Sequence, residues 1–346
     1  MKKPAAKRHF PVAAFPLPTV SHHQVQKHVV ESTPDNKPII FHIVNELNGT
    51  PNIVEDLPNI AFTFWEGKEF SYLHLLTVQS LAHYNPDLTI LIYSSEVETD
   101  IHSTWTTNEH GVAITNNLSN ISLLRSIKNV QFVKVNMDAY FPGLSTMSCI
   151  HKSDILRIMK LKEHGGIWFD FDILFFRPIT PSLLRLRRHD IGIFKYEEHI
   201  AIGFIFSHPN NPIFKYLTTA IAILLDRNSA SEYQSIGSRL WDRLMALPII
   251  QSHIQLLPNY ICYSYTASQV HSLYYSNKDI TLQDTIGIHW YNGSPLTKRY
   301  INQTNFQNLS PDHCVMDKYV HQVIQDMYPP EFKESHDESA VKDDSE

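Results

Sequence analysis

Cysteine is nearly missing from this chain of 346 residues: Cys149, Cys262 and Cys314 stand far apart, and no C-x-x-C pair occurs. An odd, scattered set of thiols excludes a disulfide framework and a cysteine-based zinc site, and it suits a reducing compartment. A run of about 18 apolar residues is lacking too, so no membrane span is expected. The opening segment is basic, but Pro11, Pro16 and Pro18 interrupt any apolar core of signal-peptide type. These absences together give the expectation of a cytoplasmic protein, at most peripheral to a membrane. Without a secretory signal, the Asn-x-Ser/Thr sequences at Asn48 and Asn302 read as chance matches. Positive charge is not in excess either. The net charge is -6 and the isoelectric point is near 6.4, so no basic field addresses nucleic acid.

The charge that is present is uneven. The first 30 residues hold five basic residues and no acid, and the last sixteen hold seven acids and two lysines. Both ends read as solvated tails. The division expected is a basic tail over 1–36, one domain over 37–330 and an acidic tail over 331–346. Within the domain, apolar runs alternate with helix-compatible segments. Asn59–Trp65 is a strand bounded by Pro58 and Gly67. Phe70–Tyr84 follows as a helix, with Leu73, Leu76, Val78 and Leu81 at compatible spacing, and Asn85-Pro86 ends it. Leu88–Tyr93 and Asn129–Val135 are further strands. Strand–helix–strand order marks a parallel α/β sheet. Later strands are expected at 191–196 and 200–207, and helices at 211–227 and 235–245. No internal repeat is visible.

The most informative stretch is Ser153–Asp172, SDILRIMKLKEHGGIWFDFD. A helix over 150–164 stops at Gly165-Gly166, because glycine tolerates left-handed angles. The apolar run IWFDFDILFF then reads as one strand delivering Asp170 and Asp172. Positions i and i+2 of a strand share a side, so both acids would face one cavity with Phe171 turned into the core. Buried carboxylates are costly unless paired, hydrogen-bonded or holding a metal. Two acids on a divalent cation, with phosphates beyond it, is an arrangement that favours hard oxygen ligands. The plainer reading is two surface acids at a strand end. Asp154 and Arg157 share a helical face. They form either an ordinary intrahelical ion pair or a grip on sugar hydroxyls beside a metal diphosphate.

The string SDILR, the Gly pair and Asp170-x-Asp172 resemble the DXD region of glycosyltransferase family 32 and of the related clostridial toxin glucosyltransferases and capsular-polysaccharide transferases. FTFWEG at 62–67, HYNPDLTILIYSS at 83–95, SIGSRLWDRL at 235–244 and GIHWYNGS at 287–294 are similar to family segments in the same order. The family often has Tyr and Leu before its first acid, where this chain has Trp168 and Phe169.

The resemblance implies a GT-A type, Rossmann-like α/β fold with a mixed central sheet flanked by helices. It further implies a divalent cation (Mn2+ or Mg2+) and a nucleotide-sugar donor, UDP-glucose or UDP-galactose foremost. Asp172 would ligate the metal directly, and Asp170 would contact ribose and metal. Asp154 and Arg157 would contact the donor sugar, and Trp65 the nucleobase. His289 would be a third metal ligand or a phosphate contact, and Asn292 and Ser294 diphosphate or sugar contacts. Trp65 and His289 also have ordinary readings, as a core aromatic and a structural histidine. The activity implied is retaining, metal-dependent hexosyl transfer to a glycan or other hydroxyl acceptor. Two other classes stand beside it. One is a haloacid-dehalogenase-like Mg-dependent phosphatase, disfavoured because Ile173 and Leu174 follow Asp172 and the motif lies mid-chain. The other is a non-catalytic carbohydrate-binding protein on a degenerate transferase fold.

Overall fold

The computed structural model describes residues 53–67, 70–97, 113–116, 121–196, 199–227, 235–306 and 309–329. Both expected tails, and the domain boundary near residue 37, lie outside them. The described elements begin with β1 (Val54–Asp56) and β2 (Ile60–Phe64), followed by α1 (Tyr72–Tyr84), β3 (Thr89–Ser95) and β4 (Val130–Val135). Then come α2 (Cys149–His164), β5 (Gly166–Phe169), β6 (Ile173–Phe175), β7 (Arg185–Arg187), β8 (Ile191–Tyr196) and β9 (His199–Ser207). Next are α3 (Pro212–Asp226), α4 (Ser238–Leu244), α5 (Pro248–Gln251), β10 (Ile254–Leu257) and α6 (Val270–Tyr275). The described elements end with β11 (Gly287–His289), α7 (Pro295–Gln303) and α8 (Val315–Met327).

Seven strands form the central sheet in the order β10-β8-β9-β5-β2-β3-β4. The pairs β2–β3, β3–β4, β2–β5 and β8–β10 are parallel, whereas β9 is antiparallel to both β5 and β8. The sheet is therefore mixed, as expected for the fold class. The chain moves outward from β2 through β3 to β4 and then returns to place β5 on the other side of β2. The strand order thus reverses between β2 and β5. In open α/β sheets, the carboxyl ends of strands at such a reversal form the usual ligand crevice.

Alternate residues on each strand face opposite layers. Ala61, Ile90, Ile92, Ile167 and Phe169 pack on the face that meets Val78 and Leu81 of α1. Phe62, Phe64, Tyr93 and Trp168 pack on the other, with Ile155, Leu156 and Leu161 of α2 and Phe214 of α3. A third cluster joins α1 to the later helices through Leu73, Leu76, Leu174, Trp290, Ile301 and Val320.

Helix ends follow local chemistry. Asn85 caps α1 with its own N–H on the Leu81 carbonyl, directly before Pro86. Asn211 caps α3, with Pro212 in its first turn. The Gly pair after α2 is required twice over. Gly165 and Gly166 have φ of +64° and +89°. An added Cβ at Gly166 would lie 2.4 Å from the Ile60 carbonyl oxygen, and one at Gly165 would lie 2.5 Å from Pro209. Only glycine lets β5 start this close to β2.

One element differs from expectation. The run Ile167–Phe176 is not a single strand. β5 belongs to the central sheet, β6 pairs antiparallel with β11 in a separate two-stranded ladder, and the chain turns through Asp170-Phe171-Asp172 between them. Alternation along one strand therefore does not set the direction of the two acids. Phe171 is buried as expected, because the turn folds it against Trp65, Phe70 and His74.

Candidate active site

The turn Asp170–Asp172 leaves β5 at the carboxyl end of the sheet, where the strand order reverses. Trp65 follows β2 at the neighbouring strand end, and its ring lies 4.8 Å from Phe171 and 4.7 Å from His74, centroid to centroid. It is half-buried. The backbone fixes this corner: the Trp65 N–H donates to the Tyr93 carbonyl, and the Asp170 N–H donates to the Gly203 carbonyl at 2.7 Å.

Two charged groups meet there. In the first, Arg157 on α2 donates from Nη1 to Asp154 Oδ1 at 2.8 Å and from Nη2 to Asp170 Oδ1 at 2.9 Å. The guanidinium lies over the Trp168 ring, 4.9 Å from its centroid. Trp168 Nε1 donates to the same Asp170 oxygen at 2.7 Å. Asp154 and Arg157 are almost wholly buried, so their pairing is not a surface helix contact. Burial pushes the Asp154 carboxyl above its ordinary value, and the Asp170 charge adds to this against the pull of Arg157. The Asp154 carboxylate lies against the backbone of Gly237 before α4, where an added Cβ would come within 2.7 Å of Oδ2.

The second group centres on Asp172. Its Oδ1 lies 3.1 Å from His289 Nε2, and its Oδ2 accepts the Asn292 N–H at 3.0 Å. Backbone bonds hold the two strands in place: Trp290 N–H to the Asp172 carbonyl at 2.7 Å and His289 N–H to the Cys262 carbonyl at 2.8 Å. Burial works against the Asp172 carboxylate, but His289, the Asn292 N–H and His74 outweigh it and hold the carboxyl below its usual range. His289 stands between two rings, stacked on Tyr263 at 5.0 Å and edge-on to Tyr291 at 4.2 Å.

The residues singled out in the sequence therefore gather in two linked sets, Asp154–Arg157–Asp170 and Asp172–His289–Asn292. Trp65 sits over Phe171 at the turn between them. Ser294 stands apart in role: its Oγ accepts from the Leu296 N–H and caps α7. Sequence reasoning passed over His74, Tyr263, Gly203 and Gly237. An added Cβ at Gly203 would come within 2.9 Å of Asp170 Oδ2 and 2.8 Å of the Tyr263 hydroxyl. Gly203 has no motif of its own, and Gly237 lies in the family-like segment SIGSRLWDRL, which does not show that it faces Asp154.

The donor set is rich in hard oxygen, with one imidazole. Asp170 keeps Oδ2 clear of the hydrogen bonds that converge on Oδ1, and Asp172 stays ionised despite its enclosure. The buried Nδ1 of His289 and Oδ1 of Asn292 have no hydrogen-bond partner. Such a set fits Mg2+ or Mn2+. As arranged, Asp170 leans to Arg157 and Asp172 to His289, and the three do not bring their ligand atoms within 4.8 Å of one another.

Residues 72–190 match the family described as glycosyltransferase sugar-binding region containing DXD motif. Among solved structures, the chain is similar to the PaToxG glycosyltransferase at 16% identity, over 83% of this chain and 92% of that one, with a TM-score of 0.44. It is also similar to the galactosyltransferase LgtC in complex with donor and acceptor sugar analogues, at 12% identity over 80% and 99% of the two chains, with a TM-score of 0.42. No curated protein matches the chain. The family match spans the turn, the Gly pair and the Asp154–Arg157 pair, and on it residues 72–190 are a glycosyltransferase sugar-binding region containing a DXD motif.

Proposed function

We propose that this glycosyltransferase moves a hexose from a nucleoside-diphosphate sugar, with UDP-glucose or UDP-galactose as the leading donors, to a hydroxyl of a glycan or similar acceptor. The reading includes retention of anomeric configuration and dependence on a divalent cation. One observation carries it: the Asp170–Asp172 turn leaves the sheet where the strand order reverses, with a half-buried tryptophan at the adjacent strand end. That is the position at which open α/β sheets hold nucleotides.

In this reading the Trp65 ring is the platform for the nucleobase, since every base offers a π-face to an aromatic side chain. Asp172, Asp170 and His289 are the groups that would hold the cation, with Asn292 keeping Asp172 in place. A divalent cation bound there supplies positive charge to the departing diphosphate without a proton donor. Arg157 is fixed on two carboxylates and an indole, so its charge is preorganised beside the leaving group. Asp154, anchored by Arg157, orients donor-sugar hydroxyls in the reactive pose.

Breaking the anomeric C–O bond leaves negative charge on the diphosphate and positive charge on the ring. Among the described residues, Asp154 is held by Arg157, Asp172 by His289 and the Asn292 N–H, and the open oxygen of Asp170 is assigned to the cation, so in this reading no carboxylate serves as a dedicated nucleophile. The acceptor hydroxyl therefore attacks from the leaving-group side. Its oxygen forms the new bond to the anomeric carbon, and its proton passes to the departing phosphate oxygen.

The test is Asp172→Asn, assayed for Mn2+-dependent transfer or hydrolysis of UDP-sugars. The expected result is loss of at least about 100-fold in rate, as for removal of a group that stabilises transition-state charge, with the melting temperature little changed. Full activity in the variant would overturn the metal assignment. Preference for phosphate monoesters by the wild-type protein would overturn the transferase chemistry.

A further inference from the structure

Glu66 and Lys152 form an ion pair beside the site that the transfer chemistry does not use. Lys152 Nζ lies 2.9 Å from Glu66 Oε1 and 3.0 Å from Oε2. The Ser95 hydroxyl donates to the same Oε2 at 2.9 Å. Neither charged side chain reaches solvent: Lys152 is 0% exposed and Glu66 2%.

A pair of this kind contributes little to stability. The loss of hydration of two buried charges offsets most of their attraction, and apolar residues of similar volume often hold a fold as well. Lys152 is also the fourth residue of α2, at the end of the helix where a positive charge is disfavoured. What the pair does fix is geometry, because two enclosed charges are satisfied only when they meet.

The parts it joins are those that hold the donor. Glu66 directly follows Trp65 beyond the end of β2. Trp65 packs with the cluster on the α1 face of the sheet, and Glu66 is held by Lys152 of α2, the helix on the other face. Trp65 also donates from Nε1 to the Gly67 carbonyl at 3.2 Å, which closes the turn on itself. Gly67 has φ of +133°, a conformation open to glycine. Ser95 is the last residue of β3, and its carbonyl accepts from Lys134 Nζ of β4 at 3.0 Å. On α2, Lys152 precedes Asp154 by two residues and Arg157 by five.

We infer that Glu66 and Lys152 are a positioning pair of the donor site: they fix the Trp65 turn against the start of α2, and so set the span between the nucleobase platform and the Asp154–Arg157 pair. This rests on the functional reading above and adds to it two residues whose enclosed side chains act through Trp65. Ser95 and Lys134 tie the same turn to the ends of β3 and β4, so the platform is anchored on both sides of β2's end.

The experiment is calorimetry of UDP with Mn2+ on the full chain, with a thermal melt of each protein. The set is wild type, Glu66→Asp, Glu66→Gln/Lys152→Met, Trp65→Ala and Trp65→Ala/Glu66→Asp. Glu66→Asp keeps both charges and shortens the link by one methylene. It is expected to weaken UDP binding about 3- to 10-fold, a part of the loss of about 5- to 100-fold expected on removing the ring. In the Trp65→Ala background the same change is expected to cost nothing further, because it acts through the ring. Glu66→Gln/Lys152→Met leaves no charge unpaired, so it is expected to melt close to the wild type while binding UDP about as weakly as Glu66→Asp. In donor kinetics, KM is expected to rise more than kcat falls.

A merely structural pair would change melting temperatures and leave UDP affinity alone. Wild-type affinity in Glu66→Asp or in the folded charge-free variant, or losses that multiply between Glu66→Asp and Trp65→Ala, would overturn the inference and leave the functional reading standing. If the charge-free variant does not fold, Glu66→Asp and its cycle with Trp65→Ala decide. If the wild-type chain binds no UDP, the functional reading falls and this inference with it.

Discussion

Trp168 Nε1 and Arg157 Nη2 converge on one oxygen of Asp170, at 2.7 and 2.9 Å, and leave the other oxygen to the site. The indole does more than fill the sheet's α2 face. It sets the plane of the first carboxylate of the motif and lies beneath the guanidinium that holds it. Trp168→Phe keeps an aromatic ring in this fully buried position and removes only the donor and some volume. A hydrogen bond to a charged group contributes about 1.5–3 kcal/mol, so kcat/KM is expected to fall about 10- to 100-fold. Steady-state kinetics beside a thermal melt checks this, and an unchanged kcat/KM would detach Trp168 from the site.

Trp65, half-buried, sits against Phe171, Phe70 and His74 at the end of β2. Base stacking on an aromatic side chain contributes about 1–3 kcal/mol by alanine substitution. Trp65→Ala is therefore expected to weaken UDP binding about 5- to 100-fold, with a smaller effect on kcat at saturating donor. Calorimetry with UDP decides it, and wild-type affinity in the variant would take Trp65 out of the nucleotide site.

Much of this was legible in the sequence, and the reasons are local. The Gly165-Gly166 stop, the helix carrying Asp154 and Arg157, and the β2–α1–β3 unit are written in short-range patterns of apolar spacing, caps and breakers. The turn at Asp170-Phe171-Asp172 was not, because IWFDFDILFF is apolar on both sides of the acids. What breaks it is the pairing of Ile173 with His289 on a strand far down the chain, which periodicity cannot show. Trp168 stands in the sequence only as part of that apolar run, since nothing local reveals where its N–H points. His74 was one of 20 histidines in the chain and lay inside an apolar helical pattern. Its setting comes from Ser71 in its own first turn and from the rings of Trp65 and Trp290, the last far along the chain. Gly203 carries no motif and Gly237 stands in the segment SIGSRLWDRL, but only the folded chain shows which carboxylate each one faces.

The buried ring of His74 also makes the fold acid-sensitive. Desolvation lowers its pKa from 6.5 to about 3, against the pull of the Asp172 charge and the Asn292 side chain and with that of Lys298. Below about pH 6.5 the unfolded chain takes up a proton that the folded chain refuses until near pH 3. The unfolded state then binds more protons, so stability falls as pH falls through this window. Between pH 7 and pH 5 the wild type is expected to lose about 2 kcal/mol more than His74→Gln, from about 1.36 kcal/mol per pH unit. Urea unfolding at the two pH values measures the difference. Equal losses in the two proteins would show that His74 is charged in the folded state.

Gly203 offers a way to disturb the site with a single methyl group. It lies on β9 beside β5, with its carbonyl accepting the Asp170 N–H. An added Cβ would meet the Tyr263 hydroxyl at 2.8 Å and Asp170 Oδ2 at 2.9 Å. Both obstacles are side-chain ends, so the strand survives and the strain falls on the carboxylate. Asp170 would have to rotate away, drawing its other oxygen off Arg157 and Trp168. Displacement of a catalytic group by even about 1 Å costs on the order of 100-fold in rate. Gly203→Ala is accordingly expected to lose more than about 10-fold in kcat/KM, with a folded far-ultraviolet spectrum and a modest drop in melting temperature. Gly192, on neighbouring β8, supplies the control: there an added Cβ would meet the Phe206 Cβ at 3.2 Å, with no group of the site within reach. If Gly203→Ala is as active as the wild type, or if Gly192→Ala loses activity in proportion to its stability in the same way, the Asp170 carboxylate is not held in the position from which this site works.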